Sequence, residues 1–478
     1  MKKGLLIIIL FSVFFVNAQP PSRFYTKFGG NGDDVAYSAK PTLDRQYIIA
    51  GSTSSYGSGN TDVYLVKLDS MGQIIWHKMF GGFGNDIGKS VIQLADSGYV
   101  IAGFTNSFGA GGYDAYLVKT DKNGNLIWQT TFGGLDWDFA NDLVLGSDNH
   151  IYVTGYTNSF GAGAKDGFVV KYDLGGALLW QKYYGGAQNE ELRSIIKTND
   201  NFLAAVGYTE SRGEINGDGY FLKLDLNGDT LFTRTFGGAW KDYANDVVQK
   251  STGDFIVCGA KTFSLGGKTH SYMYCMYPQG GFFWENSYYA SSDNEDFVSV
   301  SNSFQLSNLA AFIRDVPVPQ FSQQGNIFVA TPGGYNYKVN SFGGGEDESF
   351  YSVEGTLDGG FLVVGSTLSF NSVGKDVFIM KHDSTCFNYS SIVAVEETLM
   401  GTQSSIYYEQ GVVYINFLSN DIPLNVFVND LNGRLLEKVD VDEQNPIRVS
   451  FSELPIGIYL ITQKYKSGRV SHDKLIIR

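Results

Sequence analysis

Residues 80–132 read FGGFGNDIGKSVIQLADSGYVIAGFTNSFGAGGYDAYLVKTDKNGNLIWQTTF. The Phe-Gly-Gly triplet that opens this stretch also stands at Phe28, Phe132, Phe236 and Phe342, and Tyr184 heads a Tyr-Gly-Gly variant. From Phe28 to Phe236 the starts fall every 52 residues. The next interval, 106 residues to Phe342, holds two units, the second with a degenerate start at Tyr289. Seven units therefore run from Phe28 to about Phe387, and a repeat of this length is the mark of an array built from one supersecondary unit.

The grammar inside the unit is that of four short strands. Ile87 to Leu94 reads as the first, followed by an Asp96-Ser97-Gly98 turn and a second strand, Tyr99 to Phe104. A polar, Gly-rich loop leads to a third strand, Ala115 to Thr120, and the Asp121–Gly124 turn reverses the chain into Leu126 to Phe132. Runs such as Tyr116-Leu117-Val118 are apolar without alternation, as in sheets covered on both faces. Four strands per unit, repeated around seven units, predict an all-β chain with a seven-bladed β-propeller over 19–387. The seventh unit stops after Lys381-His382-Asp383, without a fourth strand, while Phe24–Phe28 stands ahead of the first unit and matches Trp76–Phe80. The N-terminal strand is thus expected to complete the last blade and remove the exposed sheet edges. Unit six, residues 289–341, lacks the strand-two glycine and carries Pro317 and Pro319, which marks it as a divergent blade.

Composition narrows the function. The 478-residue chain has a net charge of −14, so no basic surface for nucleic acid is expected. Lys2 and Lys3, an apolar run from Gly4 to Val16 and the small side chains of Val16-Asn17-Ala18 read as a signal peptide over 1–18. No other segment is long and apolar enough to span a bilayer, so the mature chain is expected to have no transmembrane segment. Of the three cysteines, Cys258 and Cys275 fall in successive strands of one repeat, and buried free thiols are expected over a disulfide framework.

The repeat, with patterns close to Asp-x-Tyr-Leu-Val-Lys and Trp-x-Lys-x-Phe-Gly-Gly, resembles the tandem propeller repeats of secreted bacterial surface proteins. After a polar linker over 388–404, residues 405–478 alternate as strands of a small β-sandwich, with Asn432-Gly433 and Ser467-Gly468 as turns. Asp430-Leu431-Asn432-Gly433-Arg434-Leu435, Leu454-Pro455-Ile456-Gly457-Ile458-Tyr459 and Lys474-Leu475-Ile476-Ile477 resemble the type A sorting domain of the type IX secretion system of Bacteroidota. That resemblance implies export by the type IX machinery, and a secreted chain or one attached to the outer-membrane surface. The Asn-Pro pair usual near the start of the family pattern is absent around Ile406–Phe417.

Catalytic patterns are scarce: the five histidines are scattered, and no metal spacing, Walker loop or nucleophile elbow occurs, so no cofactor or metal is expected. Six residues after each unit start stands an acid, Asp34, Asp86, Asp138, Glu190, Asp242, Glu295 or Glu348, and four further on a Ser or Asp. Two readings stand for these acids. They accept backbone N–H bonds at the crossing between blades, or they gather negative potential that holds a cation or a basic ligand group. Trp76, Trp128, Trp180 and Trp284 share one repeated position and read as packing residues. Trp137 and Trp240 break the repeat, each beside an acid of the crossing, Asp138 and Asp242. An exposed indole beside a carboxylate suits a sugar ring, and these four residues are the candidate ligand-binding set. The expected function is binding or adhesion to an extracellular polysaccharide or surface protein. The alternative is a glycoside-active enzyme using carboxylates such as Asp138 and Asp242 at the channel mouth.

Overall fold

A computed structural model describes residues 23–213, 216–263, 267–288, 346–356, 358–370 and 372–382, and the strands of the sixth unit and of the C-terminal region. Residues 1–22, which hold the expected signal peptide, and Cys386 lie outside them, as do Glu295 and 383–403. The described chain forms two compact units that divide in the region of residue 392.

The first unit is a β-propeller. Its first blade pairs Asp34–Pro41, Tyr47–Thr53, Asp62–Leu68 and Ile74–Phe80 in sequence order, all antiparallel. The second and third strands are buried along their whole length, and only the fourth alternates between exposed and half-buried residues. The unbroken apolar runs are therefore explained by blade-on-blade packing, with cores such as Ile48, Leu65, Val91, Ile101 and Tyr116 spanning two blades.

Seven blades are expected, the sixth of them divergent; the structure shows six regular blades rather than seven. The sixth unit gives an irregular four-stranded sheet of Asp296–Asn302, Leu309–Arg314, Gly325–Ala330 and Tyr337–Phe342. The missing glycine accounts for the irregularity. In the regular blades a side chain on Gly51, Gly103, Gly155, Gly207, Gly259 or Gly365 would come within about 2 Å of a carbonyl oxygen of the bulged inner strand. Ile313 holds that position in the sixth unit, opposite Phe297, and the ladder skips to Val300–Ala311, losing the pair that elsewhere follows the bulge.

The last regular blade takes its outer strand from the other end of the chain. Phe24–Phe28 pairs antiparallel with Asp376–His382, beside Phe361–Thr367 and Glu348–Gly355. Among the described residues, outer-strand aromatics and turn glycines link neighbouring blades. Gly124, Gly176 and Gly228 adopt positive φ with Trp76, Trp128 and Trp180 of the preceding blade lying where a Cβ would be. Gly72 meets Phe24 in the same way, so the N-terminal strand carries the blade contact as well as the ladder. Cys258 and Cys275 are buried free thiols, facing Met273 and Ile256 across their ladder rather than each other.

The lysine of Asp-x-Tyr-Leu-Val-Lys has a structural partner. Lys67, Lys171, Lys223 and Lys381 are buried, with Nζ 2.9, 2.7, 2.7 and 2.7 Å from Asp44, Asp148, Asp200 and Asp358 of the first hairpin turn. Asp200 reaches water while Lys223 does not, so removing the two partners is unequal. Asp200→Ala leaves a buried ammonium with the Thr198 hydroxyl but no counter-charge and is expected to cost about 2–3 kcal/mol, whereas Lys223→Met frees an acid to the solvent and is expected to cost about 1 kcal/mol. Urea midpoints of the two variants test this order. Burial pushes these aspartates up, but hydrogen bonds from the lysine and from Thr42, Tyr152, Thr198 or Thr356 outweigh it and hold them below the usual range. Their stabilisation is therefore complete above the ordinary carboxylate pKa near 4 and is lost as pH falls through the lowered folded values. Melting curves at pH 7 and pH 3 should differ accordingly, and less so for Asp200→Ala.

The C-terminal unit has two antiparallel sheets. One orders Ser404–Glu409, Val412–Phe417 and Ile447–Ser450; the other orders Leu435–Asp440, Pro423–Asp430, Gly457–Tyr465 and Val470–Ile477. These strands fall within 405–478, where alternation was expected, except that the first begins at Ser404, the last residue of the expected linker.

Candidate functional site

The Phe-Gly-Gly triplet builds the crossing between blades. Its first glycine is wedged between two carboxylates: a Cβ on Gly133 would fall 2.0 Å from Asp114 Oδ1 and 2.7 Å from Asp138 Oδ2. The second glycine donates its N–H to the acid, Gly134 to Asp138 Oδ2 at 2.8 Å. Ser159 Oγ donates to the same oxygen at 2.7 Å, and Thr157 Oγ1 donates to Oδ1. Asp86 repeats the arrangement with Gly82, Thr105 and Ser107, and Glu190 with Gly186, Thr209 and the Ser211 N–H. Asp242 accepts the N–H groups of Gly238 at 2.6 Å and Thr262 at 2.7 Å. Burial pushes its carboxyl up to about 6 against those two bonds.

Asp138 and Asp242 are 0% exposed. Their oxygens face the loops that carry them, which is what the backbone-clamp reading requires. A carboxylate held this way does not reach a glycosidic oxygen unless its loop opens.

The tryptophans beside these acids point elsewhere. Trp137 is 57% exposed and rests edge-on against Tyr113 and Phe139, with centroids 6.0 and 6.2 Å away. Phe139 stacks on Tyr156 at 5.0 Å and meets Phe104 at 4.5 Å, and Lys165 Nζ lies 3.9 Å above the Tyr156 ring. The result is an aromatic shelf with a cation at one end, joining the second and third blades. Trp240 enters the fifth blade, half-buried, next to Lys241, whose Nζ stands 4.8 Å over Tyr208. The shelf contacts include Trp137 but not Trp240, and each indole leaves its neighbouring acid in the interior.

A second region was not singled out in the sequence. Every inner strand of a regular blade carries a bulge, between Ala36 and Ser38, Gly88 and Ser90, Ala140 and Asp142, Leu192 and Ser194, Ala244 and Asp246, and Phe350 and Ser352. The skipped residues, Tyr37, Lys89, Asn141, Arg193, Asn245 and Tyr351, line a central channel with a cavity of about 610 Å³. They stand nine residues after each unit start, between the acid and the Ser or Asp. That variable position was the available signal.

The Ser and Asp of the repeat fasten neighbouring blades around this channel. Ser90 Oγ donates to Asp142 Oδ1 at 2.7 Å, and the Ile195 N–H donates to Asp142 Oδ2 at 2.9 Å. Asp246 accepts from Ser194 Oγ, Ser299 Oγ and the N–H groups of Val247 and Val300, at 2.7 to 2.9 Å. Burial pushes Asp142 up to about 6, against the hydrogen bonds from Ile195 and Ser90. Among the described residues no three His, Cys, Asp or Glu side chains converge as metal ligands, and no helix is long and apolar enough to cross a membrane.

Residues 409–478 match the secretion system C-terminal sorting domain. The chain ends in a sorting domain. It marks the protein for export through the type IX secretion machinery, and so as a secreted or cell-surface protein. A regulatory protein, FlaEY of Caulobacter vibrioides, is 27% identical over 248 residues, covering 45% of this chain and 25% of its own length. The chain thus spans about a quarter of that relative. Similar solved structures include the Pan2 WD40 domain of Neurospora crassa, 12% identical with a TM-score of 0.45, covering 76% of this chain and 97% of that one. The Cps50 (Swd1) β-propeller domain of Myceliophteria thermophila is 9% identical with a TM-score of 0.46, covering 74% and 99%.

Proposed function

We propose that the sorted chain is a binding module of a bacterium of the Bacteroidota, carried out by a signal peptide at 1–18 and a sorting domain at 405–478. In this reading the propeller over 19–387 binds an extracellular polysaccharide or a surface protein. The observation that supports it is the aromatic shelf around Trp137, whose exposed indole and flanking Lys165 offer a ring face and a hydrogen-bond donor. Trp240 is the second contact, and Asp138 and Asp242 fix the loops that present the two indoles. The irregular sheet at 296–342 serves as a seventh blade between the fifth blade and the last. Ser299 supports this placement, since its hydroxyl donates to Asp246 on one side and accepts the Val353 N–H on the other.

The test incubates the full secreted chain with insoluble polysaccharides and records protein depletion and new reducing ends together. Depletion without reducing ends is expected, weakened about tenfold by Trp137→Ala, the equivalent of about 1.4 kcal/mol. New reducing ends would instead assign a glycoside hydrolase. Unchanged depletion by Trp137→Ala would remove the shelf from the interaction.

A further inference from the structure

The lining of the central channel holds many charges, and among the described residues all are matched but Lys89 and Lys197, the latter exposed to solvent. Lys40 pairs with Glu354. Arg193 lies 3.2 Å from Glu191 and donates to Asn245 Oδ1 at 2.6 Å, and Asn245 Nδ2 donates to Asp296 at 2.7 Å. Asp142 and Asp246 accept the inter-blade bonds described above. Lys89 is different. Its half-buried ammonium lies 3.9 Å over the Tyr37 ring and makes no hydrogen bond or ion pair among the described residues. The acid nearest to it in effect, Glu191, is shared with Arg193 and with Lys165 at 3.6 Å.

An ammonium drawn out of bulk water and facing only a π cloud gains most from an anion that can enter the cavity. Burial lowers its pKa to about 8, with Glu191 opposing, so it stays mostly protonated at neutral pH. Tyr37 and Tyr351 stand together beside it, with ring centroids 5.0 Å apart and planes inclined by 52°. Two phenol faces at the edge of a cation suit a pyranose ring that carries a carboxylate.

The inner strands do not offer the alternative of an added peptide strand. The N–H groups of Val91, Ile195, Val300 and Val353, which would pair with one, already donate to Ser38, Asp142, Asp246 and Ser299. The volume of about 610 Å³ is that of a small-ligand site.

We propose that the channel binds a uronic acid residue, its carboxylate on Lys89 and its ring against Tyr37 and Tyr351. The proposal rests on reading the propeller as a binding module, and it gives that module a ligand class and a second subsite apart from the Trp137 shelf.

Calorimetric titration of the full secreted chain with digalacturonic acid, cellobiose and a pentaglutamate peptide tests it, with Lys89→Met and Lys89→Arg as variants. Digalacturonic acid is expected to bind at least about tenfold more tightly than cellobiose. Lys89→Met should weaken it by about tenfold or more, and Lys89→Arg by less than about threefold. Melting curves of both variants verify folding, which the loss of an unpaired ammonium should not impair. Equal binding of the two sugars, an unaffected Lys89→Met variant, tighter binding of pentaglutamate, or no binding of digalacturonic acid would each overturn the proposal. Trp137→Ala keeps the two readings apart. It should weaken retention on insoluble polysaccharide by about tenfold while leaving the digalacturonate titration unchanged.

Discussion

Asp138→Ala is expected to destabilise the propeller by about 3–4 kcal/mol, more than any exposed substitution on the same face. The carboxylate is fully buried and takes donors from Gly134 in the crossing loop and from Thr157 and Ser159 at the end of the second strand and the loop after it. Removing it strands an N–H and two hydroxyls beside a fully buried position, and each orphaned group costs about 1–3 kcal/mol. Asp138→Asn does not repair the loss, because its NH₂ would face donors where the carboxylate offered a second acceptor. Trp137→Ala, one residue away, removes a side chain that is mostly in water and is expected to cost about 1 kcal/mol. Urea denaturation of the three variants gives the comparison. If Trp137→Ala and Asp138→Ala proved equally destabilising, the indole would be a core residue and the shelf would lose its claim on a ligand.

This contrast explains the acids that recur through the repeat. A short loop between blades has backbone N–H groups with no strand to pair with, and a buried carboxylate is a compact acceptor for several of them. Each regular blade needs that service, so the acid recurs. At Glu190 the extra methylene changes the donors: Oε1 takes Thr209 and the Ser211 N–H, while Oε2 keeps Gly186. The clamp tolerates the exchange because the donors are loop groups that can follow the oxygens.

The architecture was legible because each element has a local cause visible in the chain. Glycine is demanded at Gly81 between Asp62 and Asp86, and at Gly103 against the Ile87 carbonyl, so the triplet and the strand-two glycine recur at fixed offsets. The chain's own outer strand could be matched across its ends for the same reason. Burial of the acids was not legible. A carboxylate at a strand entry looks the same in sequence whether it faces solvent or the N–H of the glycine four residues before it.

The channel was hidden by the bulge. Side chains alternate along a strand with a period of two, and one extra residue breaks that alternation. Lys89 therefore follows Gly88 without continuing its side of the pattern, and period-based reading does not assign it to the channel. The sixth unit shows the converse case. Its lost glycine was read directly, yet the lost ladder pair follows from the close carbonyl contact, which only coordinates reveal.

The second large effect is expected at the seam of the ring. Phe24 is buried among Ala36, Tyr47, Ile49, Leu362 and Val364, with its ring 5.6 Å from Tyr47. It packs on Gly72 as Trp76 packs on Gly124 and Trp128 on Gly176. Phe24→Ala should cost about 3–4 kcal/mol, from lost transfer energy plus the cavity left against the first blade. Phe24→Trp should cost less than about 1.5 kcal/mol, since four other blades carry an indole at this position. Deleting residues 24–28 should do more than either. It removes the ladder to Asp376–His382 and the Lys27–Asp376 ion pair at 2.8 Å, and it leaves a buried strand as an open edge. Loss of the folding transition in the deletion variant, together with a near-normal urea midpoint for Phe24→Trp, is the expected pair of results. A deletion variant that melts like the intact chain would mean that the blades hold their ring without the seam, and that the N-terminal strand is an accessory to a structure already closed by packing.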